Sequence, residues 1–128
     1  MKRKHPESDL QSNVAALLKV YEAFGRLIWF PVPNGLHIAG GTINERARKV
    51  ATLKAKGQLR PGVPDLIICT SSGQFGAIEL KAKGNSLTQE QEQFRERIRS
   101  MNGLWALCRS VDEVKGVLDA WTMARRAA

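Results

Sequence analysis

Residues 61–83 read PGVPDLIICTSSGQFGAIELKAK. Two short apolar runs, Asp65 to Thr70 and Gln74 to Lys81, are joined by Ser71, Ser72 and Gly73. That is hairpin spacing. One acid, Asp65, stands at the mouth of the first strand, and Glu79 and Lys81 sit inside the second. Side chains alternate across a strand, so Glu79 and Lys81 point to one face, while Ile78, Leu80 and Ala82 point to the other. The expectation is a half-buried strand whose second face lines something polar. A buried charge is costly unless it is paired or holds a metal. The hairpin also brings Asp65 beside the end of the second strand.

Working outward from the hairpin, residues from about Glu7 to Phe24 predict a helix. Leu10, Val14, Leu17, Leu18 and Tyr21 recur at three- and four-residue spacing along one face, and Gly25 suits its end. LIWFPV, residues 27–32, is rich in aromatic and β-branched residues and predicts a strand ended by Pro33, Asn34 and Gly35. After the hairpin, Thr88 to about Met101 predicts a helix, with Thr88 and Gln91 at capping-box spacing. Residues 104–108 predict a strand, and a last helix starts near Val111 with Val114, Val117, Leu118 and Trp121 inward. Trp29, Trp105 and Trp121 read as core, each lying in an apolar periodic segment. The order α-β-loop-β-β-α-β-α implies an α/β fold with a mixed sheet flanked by helices.

The segment 36–62 differs in character, mixing glycines with Arg46, Arg48, Lys49, Lys54, Lys56 and Arg60. It reads as a mobile basic connection, with room for one helix between Asn44 and Lys56. Loops of this length in a small domain are usually functional or disordered. The whole chain has 128 residues, the size of one domain, with 20 Lys and Arg against 12 Asp and Glu and a formal charge of +8. Such an excess favours a polyanionic partner, nucleic acid first. Cys69 and Cys108 read as small buried hydrophobes; they form neither a zinc site nor a disulfide framework, which suits a reducing, cytoplasmic compartment. The basic N-terminus lacks the apolar stretch of a signal peptide, and no apolar run approaches the ~20 residues of a membrane span.

Two carboxylates converging on one point repel each other unless a divalent cation lies between them. Oxygen ligands with incomplete protein coordination suit Mg²⁺ or Mn²⁺. An adjacent lysine can hold an attacking water or stabilise developing negative charge. Taken alone, the same residues also fit a plain salt bridge between Glu79 and Lys81 beside a turn aspartate.

The wider context narrows this choice. PNG at residues 33–35, a basic segment, PGVPDLII, and then GAIELKAKGNSLTQEQEQF together resemble the VRR-NUC domain, a branch of the PD-(D/E)XK nuclease superfamily. Its members include compact domains of phages and bacteria and the C-terminal domain of Fanconi-associated nuclease. The likeness runs from Glu7 to the last helix. It implies a restriction-endonuclease-like core and a metal-dependent deoxyribonuclease. Asp65 and Glu79 would hold Mg²⁺ or Mn²⁺, the backbone carbonyl of Leu80 would complete the shell, and Lys81 would assist the nucleophile. Gln91 matches a glutamine near the site in this family; its alternative role is the capping box. The family also uses an acid on the first helix: Glu7 is the choice, with Asp9 and Gln11 as neighbours that a register shift would bring in. Phosphate contacts would come from Arg46, Arg48, Lys49, Lys54, Lys56, Arg60 and Lys83, with Asn34 at the strand end either a turn residue or near substrate. His37 reads as a loop residue rather than a general base. Compact members of the phage type are expected to act as homodimers on branched DNA, four-way junctions or flaps, without a small-molecule cofactor. The rivals are a DNA-binding module without catalysis and a sequence-specific restriction-type endonuclease.

Overall fold

The computed structural model describes residues 6–33 and 40–123, with backbone alone for residues 6–8. Helix α1 (Pro6–Ala23) leads into β1 (Leu27–Pro31). Helix α2 (Ile43–Ala55) precedes the hairpin β2 (Leu66–Thr70) and β3 (Phe75–Leu80). Then follow α3 (Gln89–Ser100), β4 (Leu104–Cys108) and α4 (Val111–Met123). The long basic connection therefore carries a 13-residue helix, opened by a capping box between Thr42 and Glu45.

The α1 stripe buries Val14, Leu18 and Tyr21. The helix ends where Gly25 takes φ 70° and Arg26 N–H donates to the Tyr21 carbonyl at 3.1 Å. A residue with a Cβ pays for that left-handed conformation, which is why glycine stands there.

The four strands form one sheet in the order β1-β2-β3-β4, antiparallel except for the β3–β4 pair. The hairpin register pairs Leu66 with Ile78, and β3 pairs Glu79 with Leu107. The two faces separate cleanly. Leu27, Leu66, Ile68, Ile78, Leu80 and Cys108 join Val14 and Leu18 of α1 and Val114 and Leu118 of α4 in the main core. At Gly76 the sheet meets Trp121 so closely that a Cβ would lie 2.6 Å from the indole. The opposite face carries Phe75, Ala77 and Glu79 of β3 and Trp105 and Leu107 of β4, and α3 lies over this part.

This second helix layer corrects three expectations. Strand β3 is not half-buried: Ala77 and Glu79 are enclosed on the α3 side as fully as Ile78 and Leu80 are on the other. Trp29 and Trp121 pack against the core, but Trp105 lies on the α3 face beneath the guanidinium groups of Arg95 and Arg99. Cys108 is buried, whereas Cys69 is exposed, because α3 does not reach across β2. Among the described residues no helix is long and apolar enough to cross a membrane.

Candidate active site

Asp65 precedes β2 by one residue, and extending the hairpin register puts it opposite Glu79. Its backbone carbonyl accepts from Val32 N–H at 2.8 Å, and its Oδ2 accepts from Leu80 N–H at 2.7 Å. The carboxylate thus bridges to the neighbouring strand in place of a further ladder bond. Glu79 is 2% exposed. Its Oε1 accepts from Gln91 Nε2 at 2.8 Å, and its Oε2 is buried as well. The next residue on this face, Lys81, is half-buried and held by its N–H to the Cys108 carbonyl at 3.1 Å.

Gln91 fills both roles that its sequence position left open. Its Oε1 accepts from Thr88 N–H at 2.9 Å while Thr88 Oγ1 accepts from Gln91 N–H at 3.2 Å, which completes the capping box. The other end of the same amide reaches Glu79. Glutamine suits this double duty because its side chain carries an acceptor and two donors. A glutamate would cap equally well but could donate nothing to a carboxylate.

These groups open on one polar cleft of about 530 Å³. Asp65, Glu79, Leu80, Lys81 and Gln91 line it, together with Arg60, Pro61, Gly62, Val63, Thr88 and Glu90. Of the expected phosphate-binding residues, Arg60 is on the cleft wall, and Lys54 shares an adjoining groove with Arg60 and Pro61. Arg46, Arg48, Lys49 and Lys56 are exposed on or beside α2, and Lys83 is exposed in the turn after β3. The basic residues of α2 project around the helix rather than along one side, by its 100° per residue. Asn34 and His37 lie outside the described residues, as does the side chain of Glu7, whose backbone belongs to α1; Asp9 and Gln11 are exposed.

The donor set suits a hard divalent cation: two carboxylates at one cleft beside a strand-end backbone. Among the described residues no group of three His, Cys, Asp or Glu side chains is placed to hold a metal, so the shell would need water, the Leu80 carbonyl or the first-helix acid. Two cleft residues escaped the sequence reading. Glu90 is a third carboxylate on the wall, signalled only by its place beside Gln91. Gly62 has φ 82° and packs against the start of α3; its signal was the P-G pair before the strand.

The sequence profile of the VRR-NUC domain matches residues 31–112. Two solved structures share the fold. One is a "VRR_NUC domain" at 14% identity and TM-score 0.61, covering 92% of this chain and 99% of that one. The other is a "VRR_NUC domain protein" at 20% identity and TM-score 0.64, covering 95% and 92%. No curated protein matches the chain.

Proposed function

The chain belongs to the VRR-NUC domain family, a nuclease-type domain, and from that premise we propose that it is a metal-dependent endonuclease that hydrolyses phosphodiester bonds in branched DNA. The observation that carries the reading is the meeting of Asp65, Glu79, Lys81 and Gln91 at one polar cleft. A structural salt bridge would need none of that convergence, and Glu79 accepts a hydrogen bond from Gln91.

Asp65 and Glu79, with the Leu80 carbonyl and Glu7, are the groups that would hold Mg²⁺ or Mn²⁺. The chemistry such an ion supplies is a polarised phosphodiester and a bound water of lowered pKa. The protein supplies the rest. Leu80 N–H and Gln91 Nε2 hold the two carboxylates in orientation. Lys81 places a positive charge where negative charge develops in the transition state. Arg60 and Lys54 meet phosphates at the cleft rim, and the α2 cations and Lys83 extend that sequence-independent contact, so binding should weaken steeply with salt.

Symmetric cutting of a junction needs two sites, which a two-fold dimer provides. The part of the sheet that α3 leaves open supports that state. Ile28 (61% exposed) and Phe30 (55%) of β1 form an apolar surface there beside the exposed Cys69. Phe30→Glu is expected to yield a monomer in sedimentation; an unchanged dimer would move the interface elsewhere.

The test of function is cleavage of a labelled four-way junction and a matched linear duplex with Mg²⁺, Mn²⁺ or EDTA. Metal-dependent junction cutting that Lys81→Ala abolishes supports the reading. Equal cutting of the linear duplex removes the branched-DNA preference. Tight binding without cutting by wild type leaves a DNA-binding module.

A further inference from the structure

Gly62 lies on the cleft wall with φ 82°. A Cβ there would stand 2.3 Å from the Glu90 carbonyl oxygen, 2.4 Å from its carbon and 2.8 Å from Gln91 N. All three are backbone atoms at the start of α3, so no side-chain rotation relieves the overlap. Two residues earlier, the Arg60 guanidinium lies 5.0 Å from the centre of the Phe94 ring, one turn further along the same helix. Two residues later, Pro64 is fully buried and hands the chain to Asp65. One short loop therefore ends in a site carboxylate and touches, at two points, the helix that holds the other carboxylate through Gln91.

We propose that the 60–64 loop is a strut that sets how deeply α3 sits on the sheet, and so fixes Gln91 Nε2 against Glu79. Gly62 is the positioning residue, and the Arg60–Phe94 stack is the second tie. Ordinary contact for a Cβ begins near 3.4 Å, against the 2.3 Å that alanine would impose. The first turn of α3 must then retreat by about an ångström, which stretches a 2.8 Å hydrogen bond beyond its working range. Both glycine properties matter, the left-handed φ and the missing Cβ, and they can be separated. Gly73, in the β2–β3 turn, has φ 83° and nothing within 4 Å of an added Cβ. Gly73→Ala therefore carries the backbone strain without the contact. The geometry stands by itself; only its effect on cleavage rests on the nuclease reading.

The experiment follows the Gln91 side-chain amide by ¹⁵N NMR in metal-free, DNA-free protein, the signal being identified by its loss in Gln91→Ala. Gly62→Ala is expected to shift that signal towards the solvent-exposed position, and Gly73→Ala to leave it in place. In the cleavage assay Gly62→Ala should lose about a hundredfold in single-turnover rate, the scale of a 1 Å misplacement. It should add less than about twofold in a Gln91→Ala background, since the effect runs through that residue. A folded Gly62→Ala with the Gln91 signal unmoved overturns the proposal, as does an equal shift in Gly73→Ala. If Gly62→Ala does not fold, Arg60→Ala removes the second tie from an exposed position; an unmoved Gln91 signal there overturns the strut as well. If the signal moves as expected but no variant, wild type included, cuts DNA, the strut stands and the nuclease reading falls.

Discussion

Replacing Gln91 by glutamate separates the two contacts of that side chain. Glutamate serves a capping box as well as glutamine does, and an acid in the first turn suits the helix dipole. The Thr88 half of the arrangement therefore survives. The other half inverts: a carboxylate stands where an amide donated to Glu79 at 2.8 Å. Like charges 4 Å apart at an effective dielectric near 20 repel by about 4 kcal/mol. The lost hydrogen bond to a charged group adds about 1.5–3 kcal/mol. Gln91 is partly exposed at the cleft, so water screens much of the repulsion while the cap holds. The net loss expected at neutral pH without divalent metal is about 3 kcal/mol. A 128-residue chain unfolds with an entropy that makes 1 kcal/mol worth about 4 °C, so the midpoint should fall by roughly 10 °C. Gln91→Ala keeps no contact to either partner but adds no charge, and should lose about 2 kcal/mol. The size of the loss distinguishes the two, and calorimetric melts in EDTA at neutral pH read both. A glutamate variant within about 1 °C of wild type at neutral pH would refute the placement of Gln91 against Glu79.

Three further outcomes are expected. Hydrogen bonds from Lys115 and Tyr21 hold the Asp119 carboxyl below the usual range and tie α4 to α1. That contribution is fully present above the unfolded carboxylate value and disappears as pH falls through the depressed folded one; Asp119→Asn should flatten the acid limb of the stability curve, and an unchanged limb would exclude the link. Burial pushes the Cys108 thiol up to about 12, so in native protein a thiol reagent should label Cys69 once and spare Cys108 until denaturant is added; two fast equivalents would contradict the described burial. Gly76→Ala would press a methyl within 2.6 Å of Trp121 and should cost about 1–3 kcal/mol, with a changed tryptophan emission as the local sign; a neutral mutation would mean that α4 is not seated there.

Much of the architecture is legible in local pattern. The stripe of Val14, Leu18 and Tyr21 marks the buried side of α1. The Thr88–Gln91 spacing marks the start of α3, and the Ser-Ser-Gly turn marks the hairpin that puts Asp65 beside Glu79. These signals are short-range: helix periodicity, capping and strand alternation each involve residues a few positions apart. What lies over the second face of the sheet is not of that kind. Alternation in AIELKA marks two faces but does not tell how many are covered, and it is α3 that encloses Glu79 on the second one. Cys69 and Trp105 share that face, and their different surroundings depend on how far α3 extends across it. The Gln91–Glu79 bond and the Gly62 contact likewise join segments whose meeting is set by how α3 packs on the sheet. Local pattern marks the strands, helices α1, α3 and α4 and the acids at the hairpin, and leaves the basic segment a connection with room for the helix that became α2. Tertiary packing alone decided which side chains enclose those acids, because burial is a property of what the rest of the chain brings to a face.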